Sequence, residues 1–385
     1  MPPSYPDPIR TDGSNAFARR SMAERLPGIF DEVLVRNPDY PPSIVESVRA
    51  LRNAIVADAP MTLFDPPAPD YDQWARRFAP HEGESWLDTD WFFAETFAYR
   101  HLLAACRYWT TRRDPFQPYK DEELRSEALR NVVGEALSVD GEVRELLGHR
   151  LLNCLWGNRM DLSMKGVLEQ GTSAKDEHLL TNHLPAVVDH LLEGPPGPVH
   201  LIMDNAGTEE AFDLVLADHL LQHDIASTVT LHVKMAPVLV SDVLGEDVFW
   251  LLDVMEEYEG DLGFLAGRLW DALNNGRLRI APDFYWNADA PIREMPSRVE
   301  ETFRDAQLVV SKGDANYRRI TNDAIWPPDA TLADAAGEFP APLLALRTLK
   351  SDTLVDVDSE TRARLDREVD HWRTKGTYGV AQYAS

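Results

Sequence analysis

The chain has 385 residues, enough for two or three domains, and 44% of them are hydrophobic, as in globular proteins that bury a large core. The formal net charge is -26. Nucleic acids and anionic membrane surfaces repel a protein of this charge, so we expect neither as a partner. A phosphorylated ligand would need a metal ion or a local cluster of cations to be attracted.

The two cysteines, Cys106 and Cys154, lie in apolar surroundings and outside any CxxC or Cys/His zinc pattern. We therefore predict packed core thiols and no structural zinc site. The first residues are polar and proline-rich, unlike a signal peptide, and no apolar run is long enough to span a bilayer. These features favour a cytoplasmic protein.

The first part of the chain has helical periodicity and predicts an N-terminal helical domain over residues 1–165. Glu95 and Arg100 lie among aromatic residues, either as structural ion pairs or with one of them lining a cleft. Three later histidines match no metal-binding motif and are interpreted as ordinary helix residues: His178, His183 and His190. Helices are predicted at about 16–34 (split at Pro27-Gly28), 44–55, 91–106, 124–137 and 143–155.

The rest of the chain, 166–385, alternates short apolar runs with helical patterns. This alternation predicts an α/β fold, in which a three-layer α/β/α sandwich contains a mostly parallel, doubly wound sheet. The predicted strands are 199–203, 228–235, 278–281, 306–311 and 343–346. The predicted helices between them are 209–222, 241–257, 262–275 and 297–305.

The first of these strands ends abruptly at Asp204-Asn205, and a turn at Ala206-Gly207 leads into a helix that carries Glu209. Ligands of open parallel sheets bind beyond the carboxyl ends of the strands, so these side chains are placed to hold a hard cation or a polar ligand. The alternative is an Asp-Asn turn whose side chains cap the helix.

Polar residues follow the other predicted strands as well. Asp242 follows the second strand, Lys312-Gly313-Asp314 ends a later one, and Arg347 and Lys350 end the last. On a parallel sheet these ends meet at one edge. Taken singly, Gly313-Asp314 could be a plain turn, Arg347 and Lys350 a solvated helix start, and His232 and Lys234 residues of a half-exposed strand.

The oxygen donors Asp204, Asn205 and Asp242 suit magnesium or manganese. Lys350, Arg318 and the Gly313 backbone could hold a phosphate group. This arrangement suits hydrolysis of phosphomonoesters, with attack by a water on the metal or by the Asp204 carboxylate.

Three motifs together resemble the damage-control phosphatase family: DNAG at 204–207, KGDANYR at 312–318 and RTLK at 347–350. The RTxK motif marks its subfamily III, which holds sugar-phosphate phosphatases. One animal member of that subfamily has also been called a protein-glutamate O-methyltransferase. Further stretches agree with the resemblance: 156–163, 237–242, 339–343 and 372–379.

The resemblance implies a helical domain on an α/β/α sandwich and a divalent-metal-dependent phosphatase, with the metal (Mn²⁺, Mg²⁺, Ni²⁺ or Co²⁺) on Asp204, Asn205 and Asp242. It implies catalytic roles for Asp204, Asp242 and Lys350. Family substrates are small sugar phosphates such as fructose 1-phosphate and fructose 6-phosphate, removed before they glycate proteins. Ala315 stands where relatives often carry Leu, which affects the shape of the pocket. The implied substrate contacts are Asp204, Asn205, Glu209, Asp242, Asp314, Ala315, Asn316, Tyr317, Arg318 and Lys350.

Two other functions are possible on sequence grounds. The first is a protein-glutamate O-methyltransferase that uses S-adenosylmethionine, but the turn after the first strand lacks the G-x-G-x-x-G pattern. The second is a non-catalytic scaffold, which charged groups at four strand ends disfavour.

Overall fold

The computed structural model describes residues 5–157 and 178–385. The predicted domain boundary near residue 165, and nearly all of the stretch 156–163, lie outside the described residues. The α-helices of the first range are α1 Ala16–Arg20, α2 Leu26–Arg36, α3 Pro42–Val56, α4 Tyr71–Phe78, α5 Trp91–Ala105, α6 Tyr108–Thr111, α7 Gln117–Leu124, α8 Glu127–Leu137 and α9 Val143–Trp156.

The second range contains the strands and the remaining helices. The strands are β1 Leu179–Asn182, β2 Gly197–Ile202, β3 Ala226–Lys234, β4 Leu278–Asp283, β5 Leu308–Lys312, β6 Leu343–Thr348 and β7 Gly379–Ala384. The α-helices are α10 Leu184–Glu193, α11 Thr208–Gln222, α12 Gly245–Glu256, α13 Asp261–Asn274, α14 Ser297–Glu300, α15 Gly313–Ile320, α16 Leu332–Ala336 and α17 Ser359–Glu368.

These strands form one sheet in the order β1-β7-β6-β5-β2-β3-β4. The strands β4, β3, β2, β5 and β6 are parallel, β7 runs antiparallel to β6, and β1 is parallel to β7. The chain moves outward from β2 to β3 and β4, and then returns to place β5 on the other side of β2. The boundary between β2 and β5 is therefore the switch point at which ligands of doubly wound sheets bind.

Alternating strand residues face two different hydrophobic cores, which confirms the predicted three-layer sandwich. Leu201 on β2 faces a core that it shares with α11, α12 and α13. Its neighbour Ile202 faces the opposite core, which contains Tyr317 of α15. The period-two alternation of a strand thus buries both faces of the sheet under helices.

The N-terminal helices divide between two cores. Buried residues of α2, α3 and α5 form a third core, which also includes Val238 from the loop after β3. Residues of α8 and α9, such as Val133 and Leu151, instead pack in the core on one face of the sheet. The last two helices before the undescribed segment thus belong physically to the sandwich, whereas the earlier ones form a separate layer.

Several predicted elements differ from the structure. The strands β1 and β7 were not predicted. The helix predicted at 241–257 begins only at Gly245, because Asp242 and Val243 pair with the backbone of the loop after β2 instead. The helix predicted at 297–305 is the short α14 followed by a 3-10 turn, Glu301–Phe303.

Two interpretations in the helical regions are also corrected. The chain does not break at Pro27-Gly28, because Pro27 lies in the first turn of α2, directly after a π-helical turn, Ser21–Arg25. A proline is tolerated in a first helical turn. Of the three histidines interpreted as helical, His190 lies in α10, whereas His183 precedes that helix and His178 lies in a turn.

Both cysteines are buried, as predicted. In the described part of the chain, none of the helices combines the length and the apolar character that a membrane span requires.

Candidate active site at the carboxyl ends of the central strands

The loops that follow β2 and β3 are joined by backbone hydrogen bonds. The Val243 N–H donates to the Asp204 carbonyl at 2.9 Å, and the Ala206 N–H donates to the Ser241 carbonyl at 2.7 Å. Asn205 and Asp242 pair in an antiparallel bridge between these bonds. The predicted metal-binding residues from two different strand ends are therefore brought together.

The side chains at this junction are linked as well. The Asn205 amide Nδ2 donates to Asp204 Oδ2 at 2.8 Å and to Glu209 Oε1 at 3.1 Å, and Ser241 Oγ donates to Asn205 Oδ1 at 2.7 Å. We refer to Asp204, Asn205, Glu209, Ser241 and Asp242 as the Asp204 cluster. Since its Asp and Asn side chains bond within the cluster and Gly207 occupies the N-cap of α11, the helix-capping alternative is not supported.

A buried lysine completes this cluster. Lys234, the last residue of β3, lies 3.0 Å from Asp242 Oδ2 through its Nζ and donates to the Met203 carbonyl at 2.6 Å. The alternative that His232 and Lys234 lie on a half-exposed face of the strand is wrong, because both side chains are buried. The signal that could have identified Lys234 as a site residue is a lysine in a strand of the predicted sheet, since a charged lysine is rarely buried without a partner.

The start of α15 touches the Asp204 carboxylate directly. Gly313 has a φ of 82°, and a Cβ atom at this position would lie 1.9 Å from Asp204 Oδ2. Only glycine fits this position, because any side chain would collide with the carboxylate and strain the backbone. The free N–H groups of the first turn of α15 therefore lie beside the Asp204 cluster, where they favour negative charge.

The RTxK motif is not the start of a helix. Arg347 is the penultimate residue of β6 and is fully buried, and Lys350 lies two residues beyond the strand. The Lys350 N–H donates to Asp314 Oδ1 at 3.1 Å, while its side chain is exposed. Asp314 follows Gly313, which touches the Asp204 carboxylate, so the backbone of Lys350 is tied to the start of α15 beside the cluster.

Three predicted substrate contacts on α15 make their contacts elsewhere. Asn316 Nδ2 donates to the Met203 and Lys312 carbonyls, and the Tyr317 hydroxyl donates to Gln382. The Arg318 guanidinium pairs with Asp323 and with Glu95, and it stacks on Trp91 and Phe92. These side chains hold α15 in place, and Ala315, also buried, adds only a methyl group.

The two ion pairs made by Glu95 and Arg100 are structural. Glu95 Oε2 lies 2.6 Å from Arg318 Nη1, and Arg100 makes a two-pronged contact with Asp70. Glu95 thereby ties α5 of the N-terminal layer to α15 of the sandwich.

The electrostatics of the cluster reflect excess buried negative charge. Burial, followed by the charges of Glu209 and Asp242, raises the pKa of Asp204 well above its usual range. Burial also raises the pKa of Asp242, although Lys234 opposes this effect. Asp314 differs, because Arg347 and Arg318 outweigh the effect of its burial and lower its pKa.

The cluster has the donor chemistry of a site for a hard divalent cation. Two carboxylates and an amide lie together, with the amide oxygen bound to Ser241 Oγ, and Asp242 Oδ2 is buried without a well-directed hydrogen bond. Across residues 5–157 and 178–385, no group of three or more His, Cys, Asp or Glu side chains is arranged to hold a metal. A cation site at this place would therefore need the Asn205 amide oxygen beside the carboxylates of Asp204 and Asp242, a set of oxygen donors that suits a hard cation.

The N-terminal layer reaches over the same edge of the sheet. Glu123 of α7 accepts a hydrogen bond from the Thr208 N–H at 2.8 Å and packs against Gly207. Because Gly207 adopts a φ of 85° and a Cβ atom there would lie 2.5 Å from the Glu123 carboxyl carbon, a glycine is required at this contact. No sequence pattern points to Glu123, since it lies in an ordinary charged helical turn.

Comparison with known proteins identifies the family of the chain. The family model of the damage-control phosphatase ARMT1-like domain matches residues 21–365. The chain is 28% identical over 371 residues to damage-control phosphatase ARMT1 of Mus musculus, covering 86% of this chain and 84% of that protein. It is 26% identical over 436 residues to damage-control phosphatase ARMT1 of Danio rerio, covering 99% of this chain and 97% of that protein.

A solved structure supports the fold. The crystal structure of a DUF89 family protein from Pyrococcus horikoshii superposes with a TM-score of 0.52 at 14% identity, over 96% of this chain and 99% of that chain. With the family model spanning most of the sequence, the chain is an enzyme of the damage-control phosphatase family.

Proposed function

We propose that the chain is a divalent-metal-dependent phosphatase of small sugar phosphates, with fructose 1-phosphate and fructose 6-phosphate as the first candidates. The observation that carries the proposal is that Asp204, Asn205 and Asp242 lie together at the switch point of the sheet, beside the start of α15, whose Asp314 binds the Lys350 backbone.

The charges around the cluster support this proposal. With its carboxylates ionised, the cluster has three negative charges, from Asp204, Asp242 and Glu209, and Lys234 and Lys350 contribute two positive charges, which leaves one negative charge. A divalent cation would change this total to one positive charge, which attracts a phosphate dianion. Without the cation, the cluster would repel the same substrate.

Each residue then has a distinct role. Asp204, Asn205 and Asp242 would hold the metal, which would supply positive charge to the phosphoryl oxygens. Lys350 would bind the phosphoryl group as a point charge, and the N–H groups at the start of α15 would donate hydrogen bonds to its other oxygens. Glu209 orients the Asn205 amide, so that the amide oxygen faces away from Glu209.

The preference for small substrates follows from the layer above the site. Glu123 of α7 contacts the tip after β2, and Glu95 of α5 binds α15, so helices bracket the crevice on two sides. Asp314 Oδ1 already accepts hydrogen bonds from Arg347, Lys350 and Ser351, whereas Asp314 Oδ2 would bind a sugar hydroxyl.

Phosphate release tests this function. Metal-stripped protein is assayed on a panel of sugar phosphates with and without Mn²⁺, Mg²⁺, Ni²⁺ or Co²⁺, and metal binding is measured separately by calorimetry. We expect release only with metal and fastest on ketose phosphates. Asp204→Asn should lose both metal binding and turnover, whereas Glu142→Gln, at an exposed helix cap, should lose neither.

Two outcomes would contradict the proposal. Release of phosphate at full rate by Asp204→Asn would remove that residue from the site. No release from folded wild-type protein with any metal would favour the methyltransferase alternative, which binding of S-adenosylmethionine would then test.

A further inference from the structure

Arg347, the first residue of the RTxK motif, has no role in the function proposed above. Its side chain is fully buried at the end of β6, with its guanidinium directed into the protein and stacked on the Tyr317 ring at 4.2 Å. A phosphate group could not reach this guanidinium without displacing the protein groups bound to it. Arg347 therefore needs another explanation than direct contact with substrate.

We propose that Arg347 is a positioning residue, which shapes the segment 349–353 so that Lys350 reaches the Asp204 cluster. The proposal rests on the proposed function, since it takes Lys350 as the residue that binds the phosphoryl group.

The hydrogen bonds of Arg347 define the path of this segment. Nη1 donates to the Thr353 carbonyl at 2.5 Å, and Nη2 donates to both the carbonyl and the hydroxyl oxygen of Ser351 at 2.8 Å. The chain thus wraps around one guanidinium from residue 347 to residue 353, with Lys350 at the top of the turn. A planar group with several fixed donors is suited to this task, and lysine is not.

Asp314 connects this turn to α15. Its Oδ1 accepts from Arg347 Nε at 2.7 Å, from the Lys350 N–H at 3.1 Å and from Ser351 Oγ at 3.0 Å. One carboxylate oxygen therefore joins the end of β6, the backbone of Lys350 and the first turn of α15. Because Gly313, the preceding residue, touches Asp204, the position of Lys350 is fixed relative to the cluster.

Backbone hydrogen bonds hold the other side of the turn. The Leu349 N–H donates to the Tyr378 carbonyl at 2.8 Å, and the Gly376 N–H donates to the Leu349 carbonyl at 2.7 Å. These bonds fix the residue before Lys350 but not those after it. Arg347 and Asp314 supply the contacts that fix Lys350 itself and Ser351.

Hydrogen exchange tests the positioning role without relying on activity. In Arg347→Lys, we expect the amides of 349–353 to exchange roughly tenfold faster or more, because a single ammonium cannot replace these bonds. Arg362→Lys is the matched control, since Arg362 is also buried and also donates to backbone carbonyls, those of Val357 and Leu354. Unchanged exchange over 349–353 in Arg347→Lys would overturn the proposal.

A double-mutant cycle tests whether Arg347 acts through Lys350. Arg347→Lys should lower kcat/KM by roughly 10- to 100-fold in the wild-type background, the cost typical of a misplaced group. In the Lys350→Met background, the same change should cost less than about twofold, because the group it positions is gone. Equal losses in both backgrounds would overturn the proposal.

Two further arrangements keep the test decisive. If Arg347→Lys does not fold, Ser351→Ala removes two of the same contacts with little change of volume, and its expected results are the same in direction. If the wild-type protein releases no phosphate, the proposed function fails, whereas hydrogen exchange still decides whether Arg347 orders the turn.

Discussion

Gly313 is the residue at which the end of β5 meets the Asp204 carboxylate. Gly313→Ala would place a methyl group within 1.9 Å of Asp204 Oδ2 and would hold alanine at a φ of 82°. We expect a loss of about 1–3 kcal/mol in the free energy of unfolding from backbone strain. Phosphatase activity should fall by more than this loss of stability explains, because the Asp204 carboxylate must move to make room for the methyl group. Urea unfolding and phosphate release measure the two effects.

Gly267→Ala is the control for this substitution. Gly267 lies inside α13, and a Cβ atom there would meet no atom within 4 Å. It should raise stability by about 0.5–1 kcal/mol and leave activity unchanged, since alanine restricts the unfolded chain. Equal effects of the two substitutions would show that contact with Asp204 is not what makes Gly313 necessary.

The two aspartates of the cluster should affect stability differently. Asp204 is buried near two other carboxylates, so Asp204→Asn should raise the unfolding temperature of metal-free protein while activity is lost. Asp242→Asn should lower it, because Lys234 would lose its anionic partner inside the protein. Thermal unfolding of both variants without metal distinguishes them, and equal shifts would argue against this assignment of charges.

Much of this site could be predicted residue by residue, and the errors have a common cause. Asp204, Asn205 and Asp242 come together as the sequence indicated. Sequence placed Arg318 at the phosphate because it is one of the charged residues that follow a predicted strand, but its guanidinium points to Glu95, more than 200 positions earlier. Partners so distant along the chain leave no local pattern, and the same holds for Glu123 and Thr208.

At the scale of elements, α7 is attached to the sandwich by one buried charge. Lys120 Nζ lies 2.7 Å from Asp247 on α12 and 3.1 Å from Asp114. Lys120→Met should lower the free energy of unfolding by about 3–5 kcal/mol, because two buried carboxylates would lose their cation. Urea unfolding measures this loss. Arg52→Met, which removes a half-exposed pair with Asp31, should leave the midpoint unchanged.

A strand of the sheet is easiest to predict where its sequence contains a run of apolar residues. The parallel strands β5 and β6 begin with runs of three and four apolar residues, as expected for strands covered on both faces. In β7, by contrast, Gln382 is buried, and its side chain bonds to Tyr317 and the Val355 carbonyl. Because the partners of this polar residue are distant along the chain, the sequence pattern does not indicate a buried strand there. β1 is missed because it has only four residues.

At the scale of the whole molecule, several buried histidines make the fold sensitive to acid. Burial lowers the pKa of His101, His200 and His219 to about 4 and that of His232 to about 3. The unfolded chain, with pKa values near 6.5, therefore binds more protons below that pH. The contribution to stability is complete above pH 6.5 and is lost as the pH falls towards 4, by up to about 1.4 kcal/mol per pH unit for each histidine.

Urea unfolding between pH 7.5 and pH 5 checks this dependence. His101 packs among Phe64, Trp86 and Phe97, so His101→Phe should fit this aromatic cluster and make the loss of stability with falling pH less steep. His149→Gln, at an exposed position on α9, should leave the slope as in the wild type. A slope unchanged by His101→Phe would mean that other groups cause the acid sensitivity.

The position of β7 between β6 and β1 has a consequence for synthesis on the ribosome. β1 ends at Asn182, but its partner begins only at Gly379, so roughly 200 residues, or roughly 10–40 s of translation, separate the two strands. The five parallel strands can assemble in this interval, whereas the backbone N–H and C=O groups of β1 remain unpaired until β7 is made. A ribosome-bound chain stalled before residue 379 should therefore present β1 to chaperones and proteases, and its completion should close that side of the sheet in a single step.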